Sequence, residues 1–334
     1  AITPRPPGSN FKPFLYGAAL EHGYSPSSII NDAPITRGDY RPNNYENNFL
    51  GPITLRFALK ESRNVPAVRL YDELGSNKVL PFAAKFGFQT QNFPNNDLTV
   101  ALGSRDVQPL EIVTGYSAIA NGGYKIDPWY IKEISTEIDG LLYQSNPLVV
   151  CEDCSQQANE SGNPIIPAPR IIDERIAYIL NSMLESVITE GSGNRVFREL
   201  RRGDLRGKTG TTNGPTELWF SGFNKDIATT VFVGFDRPEP LGEREQGATV
   251  AVPIWIDFMR EALKDAPENT MSRPDGIVDR LIDETSGEPA TPGDPNAIFE
   301  YFRSENAPEP IDTQLPGLEI DEEDEEELST EIIF

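Results

Sequence analysis

Ser9 and Lys12 stand three residues apart in the segment Gly8-Ser9-Asn10-Phe11-Lys12. On a helix that spacing puts both side chains on one face and within reach of each other. A serine hydroxyl is a weak nucleophile until a neighbouring base takes its proton, and a lysine whose pKa is lowered by burial or a nearby charge can be that base. Pro6, Pro7 and Gly8 break the chain just ahead, which places Ser9 at a helix N-terminus. There the free backbone N–H groups and the positive end of the dipole favour developing negative charge. A histidine-based triad is the weaker alternative, because His22 is the only histidine. It falls beside Gly23, where the helix should end, and reads as a surface or capping residue.

S-x-x-K alone is a weak signal, since long sequences contain it by chance. Two further segments add to it. Ser62-Arg63-Asn64 falls at an expected helix-to-loop break, where Ser62 can pass a proton and Asn64 can both donate to and accept from a peptide bond. Lys208-Thr209-Gly210-Thr211-Thr212 lies in a strand-like stretch whose glycines leave room for a substrate backbone. An edge strand of this kind can take an extended peptide by strand addition, with hydroxyls and an ammonium for its carboxylate. A phosphate-loop reading of Gly207-Lys208-Thr209 fails, because Arg202 stands where that motif needs glycine and a strand, not a helix, follows.

The elements that must position these residues follow from periodicity. Helices are expected over Pro13–Gly23, from Thr54 as a cap, over Val65–Leu74, over Asn77–Phe86 around Pro81, and over Leu110–Asn121 after Pro109. The clearest amphipathic helix runs from Asp173 to Thr189. The period then changes, and Gly207–Thr212, Glu217–Phe223 and Ala228–Phe235 read as three successive strands. Pro253 opens a last helix, Ile254–Leu263. Helices, then antiparallel strands, then a closing helix make an α+β layer architecture.

From Asp265 onward Pro, Glu, Asp, Asn and Ser dominate, so a folded unit over 1–266 is expected, followed by a largely disordered extension over 267–334. Within it, nine of the thirteen residues Glu319–Glu331 are acidic, a density at which self-repulsion opposes packing. The formal net charge of -23 argues against a nucleic-acid partner. No apolar run approaches the ~20 residues of a membrane span. Two cysteines, Cys151 and Cys154, are too few for a structural zinc site beside one histidine. They read as a local disulfide in an oxidising compartment or as two loop thiols. Nothing in the sequence calls for a metal or a cofactor.

The set S-x-x-K, S-x-N, K-T-G, in this order and on these elements, resembles that of the penicillin-binding proteins and serine β-lactamases. PGSNFKPFLY (7–16), SRNVPAVR (62–69), ALGSRDVQPLEIVTGYSAIANGG (101–123), RGKTGTTN (206–213) and LWFSGF (218–223) are similar to the class A, bifunctional penicillin-binding proteins, and within them to the 1A type. The resemblance spans about residues 4 to 264. It implies the transpeptidase fold of that family, an antiparallel sheet packed with helices, here without the strands, glycosyltransferase domain and membrane anchor that precede the nucleophile in class A.

The resemblance further implies a serine DD-transpeptidase on peptidoglycan. Ser9 would attack the penultimate D-Ala carbonyl of a stem peptide and Lys12 would take its proton. Ser62 would relay a proton to the leaving amine, while Asn64 would hold the substrate amide and orient Lys12. Lys208 would keep the site electropositive, and Thr209, Gly210, Thr211 and Thr212 would bind substrate, the hydroxyls of Thr209 and Thr211 at its carboxylate. The backbone N–H groups of Ser9 and Thr211 would form the oxyanion hole. Stem peptides ending in D-Ala-D-Ala and β-lactams are the implied ligands, with other cell-wall synthesis proteins as possible partners, at the periplasmic face of a bacterial inner membrane. Arg63 stands where one class of β-lactamases has Asp, which favours the transpeptidases. A DD-carboxypeptidase or a catalytically silent β-lactam sensor is the alternative.

Overall fold

The computed structural model describes residues 3–151, 154, 156–159 and 162–311. The acidic run Glu319–Glu331 lies outside them. A 3-10 turn, Gly8–Phe11, leads into helix α1 (Lys12–Glu21). Two short strands, β1 (Ile29–Asp32) and β2 (Gly51–Thr54), pair antiparallel. They lead to α2 (Leu55–Lys60), α3 (Asn64–Leu74), α4 (Ser76–Lys85) and α5 (Pro109–Ala120). An appendage follows, built from β3 (Glu133–Thr136), β4 (Gly140–Gln144), β5 (Leu148–Val149) and β6 (Ile166–Pro167). In it Cys151 and Cys154 pair as a disulfide. Then come α6 (Glu174–Thr189), α7 (Arg195–Leu200), the strands β7 (Arg206–Thr211), β8 (Glu217–Phe223) and β9 (Ala228–Gly234), and α8 (Val252–Ala262). A hairpin, β10 (Ile277–Asp283) with β11 (Ala297–Arg303), completes the described chain.

The capping residues account for several boundaries. Thr54 accepts from Phe57 N–H at the start of α2, and Asp173 accepts from Arg175 N–H at the start of α6. Proline occupies the first turns of α5 and α8, where its missing N–H has no partner to lose.

The sheet is antiparallel in the order β7-β8-β9. Alternation along β8 sends its two sets of side chains into two cores. Phe223 meets Tyr116 of α5 at 6.3 Å, inside the larger core made by α1 through α6. Phe220 packs edge-on against Trp255 of α8 at 5.1 Å, in a smaller core shared with Val196, Leu205 and Met259. Gly222 is required there, since a Cβ would come within 2.7 Å of the Trp255 ring. Helix α1 is buried nearly all round, as a central helix must be. Phe14 alone contacts the rings of Phe11, Phe86, Phe88 and Tyr116. This central position fixes where Ser9 and Lys12 sit.

The helices and strands expected from periodicity are present to within two residues at their ends. The expectation of a largely disordered stretch from 267 does not hold for 277–303. There Ile277, Ile282 and Phe302 are buried and the register Ile277↔Arg303 through Asp283↔Ala297 is unbroken. The polar, proline-rich composition averages over two strands whose partners are distant in sequence, and so hides them. β1, β2, the appendage strands and α7 were likewise not expected. Among the described residues no helix is long and apolar enough to cross a membrane.

Candidate active site

Ser9 sits in the 3-10 turn ahead of α1, half-buried, at the floor of a cleft of about 260 Å³. Gly8 adopts a left-handed φ of 57°, and its N–H donates to Gly103 O at 3.1 Å. A side chain at Gly103 would overlap the Gly8 backbone, so two glycines set the turn that carries the serine. Lys12, the first residue of α1, is fully buried. Its Nζ donates to Ser62 O at 2.6 Å, Asn64 Oδ1 at 2.8 Å and Arg63 O at 3.1 Å, with Ser62 Oγ at 3.3 Å. Among the described residues Ser9 Oγ has no hydrogen-bond partner.

Ser62 occupies the turn between α2 and α3 with φ at 56°, a left-handed conformation that costs a non-glycine residue about 1 kcal/mol or more. The residues on either side hold it there. Arg63 is buried and forks onto buried Asp32, Nε at 2.9 Å and Nη2 at 2.6 Å from Oδ2. It also reaches Glu46 at 3.0 Å and the backbone and side chain of Asn48. Asn44 Oδ1 accepts from the N–H groups of Asn64 and Val65 at 2.9 and 3.1 Å, while its amide donates to Asp32 Oδ1 at 2.7 Å. Asn44 thereby takes up donors at the start of α3 that the helix cannot satisfy.

From the sheet, Lys208 Nζ donates to the same hydroxyl, Ser62 Oγ, at 2.8 Å, and to Thr209 O and Oγ1 at 3.2 and 3.3 Å. Ser62 therefore lies between two buried lysines. Strand β7 is an edge of the three-stranded sheet and borders the cleft. Thr212 N–H donates to Glu217 O at 3.1 Å, so antiparallel alternation turns the Thr211 N–H away from β8, toward the open edge. A Cβ on Gly8 would lie 3.2 Å from Thr211 N, which locates that N–H beside the turn of Ser9.

The electrostatics follow from burial. Loss of hydration, then the charges of Lys208 and Arg63, hold the Lys12 ammonium well below the usual lysine range, against an opposing pull from Glu46. Burial brings Lys208 to about 7, with Glu61 acting in the other direction. Two amines that lose protons readily thus flank one hydroxyl, an arrangement suited to moving protons near neutral pH.

The structure brings Ser9, Lys12, Ser62, Asn64 and Lys208 together, with Thr209, Thr211 and Thr212 along one wall of the cleft. The threonine side chains have prior partners. Thr209 Oγ1 lies 3.2 Å from Ser192 Oγ, Thr211 Oγ1 accepts from Gly247 N–H at 3.0 Å, and Thr212 Oγ1 accepts from Glu217 N–H at 3.0 Å. Gly210 lies under the wall, where a Cβ would meet Pro7 O at 2.6 Å. His22 caps α1, its Nδ1 2.9 Å from Ala18 O. Asp32, Asn44, Ser192, Tyr45 and Gln246 were missed from the sequence. The last two bridge the cleft mouth, Gln246 Nε2 donating to Tyr45 Oη at 2.7 Å. No short motif marks these residues; only the tertiary fold unites them.

Comparison with known proteins gives a consistent picture. Residues 1–260 match the family model for the penicillin binding protein transpeptidase domain. Penicillin-binding protein 1A of Pseudomonas aeruginosa is 45% identical over 94% of this chain and 42% of its own length. Its counterpart in Neisseria lactamica is 40% identical over 82% of this chain and 33% of its own. The crystal structure of penicillin-binding protein 1A from Haemophilus influenzae superposes with a TM-score of 0.83, at 33% identity, over 94% of this chain and 49% of that one. The PonA1 protein of Mycobacterium tuberculosis, in complex with penicillin V, shares the fold at a TM-score of 0.67 and 21% identity. The chain spans less than half the length of the curated relatives it matches.

Proposed function

The chain belongs to the penicillin-binding protein transpeptidase family, and from that premise we propose that it is a serine DD-transpeptidase acting through an acyl-enzyme on Ser9. The observation that carries this reading is the shared hydroxyl of Ser62, 3.3 Å from Lys12 Nζ and 2.8 Å from Lys208 Nζ, beside Ser9 and under an edge strand. Neutral Lys12 takes the Ser9 proton as Oγ attacks the carbonyl of the penultimate D-Ala. The bond to the terminal D-Ala breaks, and its amine leaves with a proton passed through Ser62. An amine of a neighbouring stem peptide then attacks the acyl carbonyl and forms the cross-link, as the bond to Ser9 Oγ breaks and the amine's proton returns to that oxygen by way of Lys12. Asn64 accepts from Lys12 at 2.8 Å and has its amide at the cleft for the substrate backbone. The N–H groups of Ser9 and Thr211 face the developing oxyanion, a contribution of roughly 3 kcal/mol per donor in acyl-transfer sites. Thr211, whose oxygen accepts from Gly247 N–H, keeps its hydroxyl proton to offer the substrate carboxylate, Thr209 lines the cleft beside it, and Lys208 keeps the wall cationic. Gly210 and Thr212 shape that wall.

β-Lactams enter the same scheme as mimics of D-Ala-D-Ala, in keeping with the penicillin V complex of PonA1. The expected transpeptidase unit, 1–266, carries the motifs, and the β10–β11 hairpin folds onto it. Glycan polymerisation, a membrane anchor and a place at the periplasmic face of the inner membrane belong to the longer protein that this family implies. So do other cell-wall synthesis partners.

Intact mass after incubating the full-length protein with benzylpenicillin tests the reading. Wild type should gain one penicillin adduct and Ser9→Ala none. A folded wild type that gains no adduct would sink it.

A further inference from the structure

Hairpin β10–β11 lies beyond the residues matched by the transpeptidase family, yet it is tied to the helix that delivers Ser62. Helix α2 has six residues, too few to hold a helix by itself, and ends two residues before Ser62. Its Arg56 is caged. Nε and Nη2 donate to Glu300 of β11 at 2.6 and 2.5 Å, a bidentate pair whose side chains are 15% and 2% exposed. The other donors go to α6, to Ser182 O at 2.8 Å, Ser186 Oγ at 2.9 Å and Ser182 Oγ at 2.6 Å.

Lys60, at the far end of α2, is held in the same way. Its Nζ donates to Glu190 at 3.0 Å and to Glu284, just past β10, at 3.4 Å. Its carbonyl accepts from Ser192 N–H at 3.2 Å, and Ser192 in turn touches Thr209 of the K-T-G strand. Gly287 of the hairpin turn packs on the carbonyl of Ser27, in the segment that leads into β1. The hairpin therefore grips α2 at both ends and the strand pair that precedes it.

We propose that the β10–β11 hairpin is a brace that positions Ser62, with Glu300 acting through Arg56 and Glu284 through Lys60. The proposal rests on the acyl-enzyme reading above. Ser62 Oγ must meet two lysine nitrogens at once, and hydrogen bonds weaken steeply with misalignment. A small rotation or slide of α2 would carry the hydroxyl away from both, and an error near 1 Å in a reacting group can cost up to about 100-fold in rate. Glu300 is thus a positioning residue, with no contact to the cleft.

The test measures acylation of the full-length protein by a fluorescent penicillin, separating binding (K) from acylation (k2), beside wild type and Ser9→Ala. Glu300→Gln keeps the volume of the side chain and removes its charge. It should lower k2 about tenfold and leave K unchanged. The double variant Arg56→Met/Glu300→Met replaces the buried ion pair by apolar groups, a change that folded proteins commonly tolerate. It should melt near wild type and keep the low k2. Wild-type k2 in the double variant would overturn the brace and leave the hairpin an ordinary scaffold. Failure of wild type itself to acylate would strike the acyl-enzyme reading instead, so the two failures are distinguishable.

Discussion

The turn around Ser62 and the hairpin β3–β4 lie some seventy residues apart in the chain and stand at opposite extremes of burial. Around Ser62, the side chains of Lys12, Asp32, Arg63 and Lys208 are buried and each meets hydrogen-bonding partners. In the hairpin, Glu133 through Thr136 are all exposed, and so are the apolar side chains of Ile134, Ile138, Leu141 and Leu142. A buried polar group without its partner costs about 1–3 kcal/mol, more when charged, whereas an exposed one has water. The first region is therefore over-determined, since shifting one group orphans several. The second is held by its own ladder, and an isolated two-stranded hairpin is only marginally stable. Chemistry that needs exact placement sits where the structure cannot relax.

The sharpest way to break this contrast is Lys12→Met. Methionine fills a similar volume but cannot donate to Ser62 O, Arg63 O and Asn64 Oδ1, so the melting temperature should fall. Acylation should fall about 10³-fold, the middle of the range for a positioned general base. Fluorescent-penicillin labelling alongside a thermal melt measures both. Acylation within tenfold of wild type would show that another group takes the Ser9 proton.

Changing pH sharpens the same point. Only neutral Lys12 can act as base, and burial together with Lys208 holds its pKa well below 10.5. Acylation should therefore rise with pH through a midpoint well below 10.5. Lys208→Met removes the like charge, so the Lys12 pKa must rise and the acid limb must move to higher pH. Each unit of that movement costs about tenfold in rate on the acid side. Stability carries the same sign. Both lysines are protonated in the unfolded chain up to about 10.4, and folding favours their neutral forms. The wild-type fold should gain stability as pH rises from about 7, where Lys208 titrates, toward 10.5. Lys208→Met should gain less over that interval. An acid limb that stays in place would separate Lys208 from the base.

The line between what sequence revealed and what it hid follows the same division. Ser9–Lys12, Ser62–Asn64 and Lys208–Thr212 were legible because each motif is local, a few side chains on one turn or strand. The helices were legible because their apolar positions repeat and their ends carry caps such as Thr54, Asp173, Pro109 and Pro253. Asp32 was not legible, since its partner Arg63 lies 31 residues away and Asp32 itself belongs to no local motif. Glu300, 244 residues from Arg56, was harder still and lay in a stretch whose composition argues for disorder. Strand β10 does place buried Ile277 and Ile282 in a polar setting, but its need for structure appears only once it pairs with β11, which packs on α6. Local chemistry can be read from local sequence. The partners that hold it rigid belong to the tertiary fold.

The smallest expected effect tests the other side of the comparison. Ile138 is 93% exposed at the tip of β3–β4, whereas Ile119 of α5 is 0% exposed in the main core. Ile138→Ser removes apolar surface that water already covers, so stability should change by no more than about 0.5 kcal/mol. Acylation should stay within twofold of wild type. Ile119→Ala deletes methylenes whose neighbours cannot close the gap, and should cost about 2–5 kcal/mol. Chemical denaturation of both variants gives the ratio directly. A loss at Ile138 approaching that at Ile119 would mean that the exposed face of the hairpin is covered in solution. The two regions would then differ in what packs on them, and the hairpin's apolar side chains would have to be counted with the core.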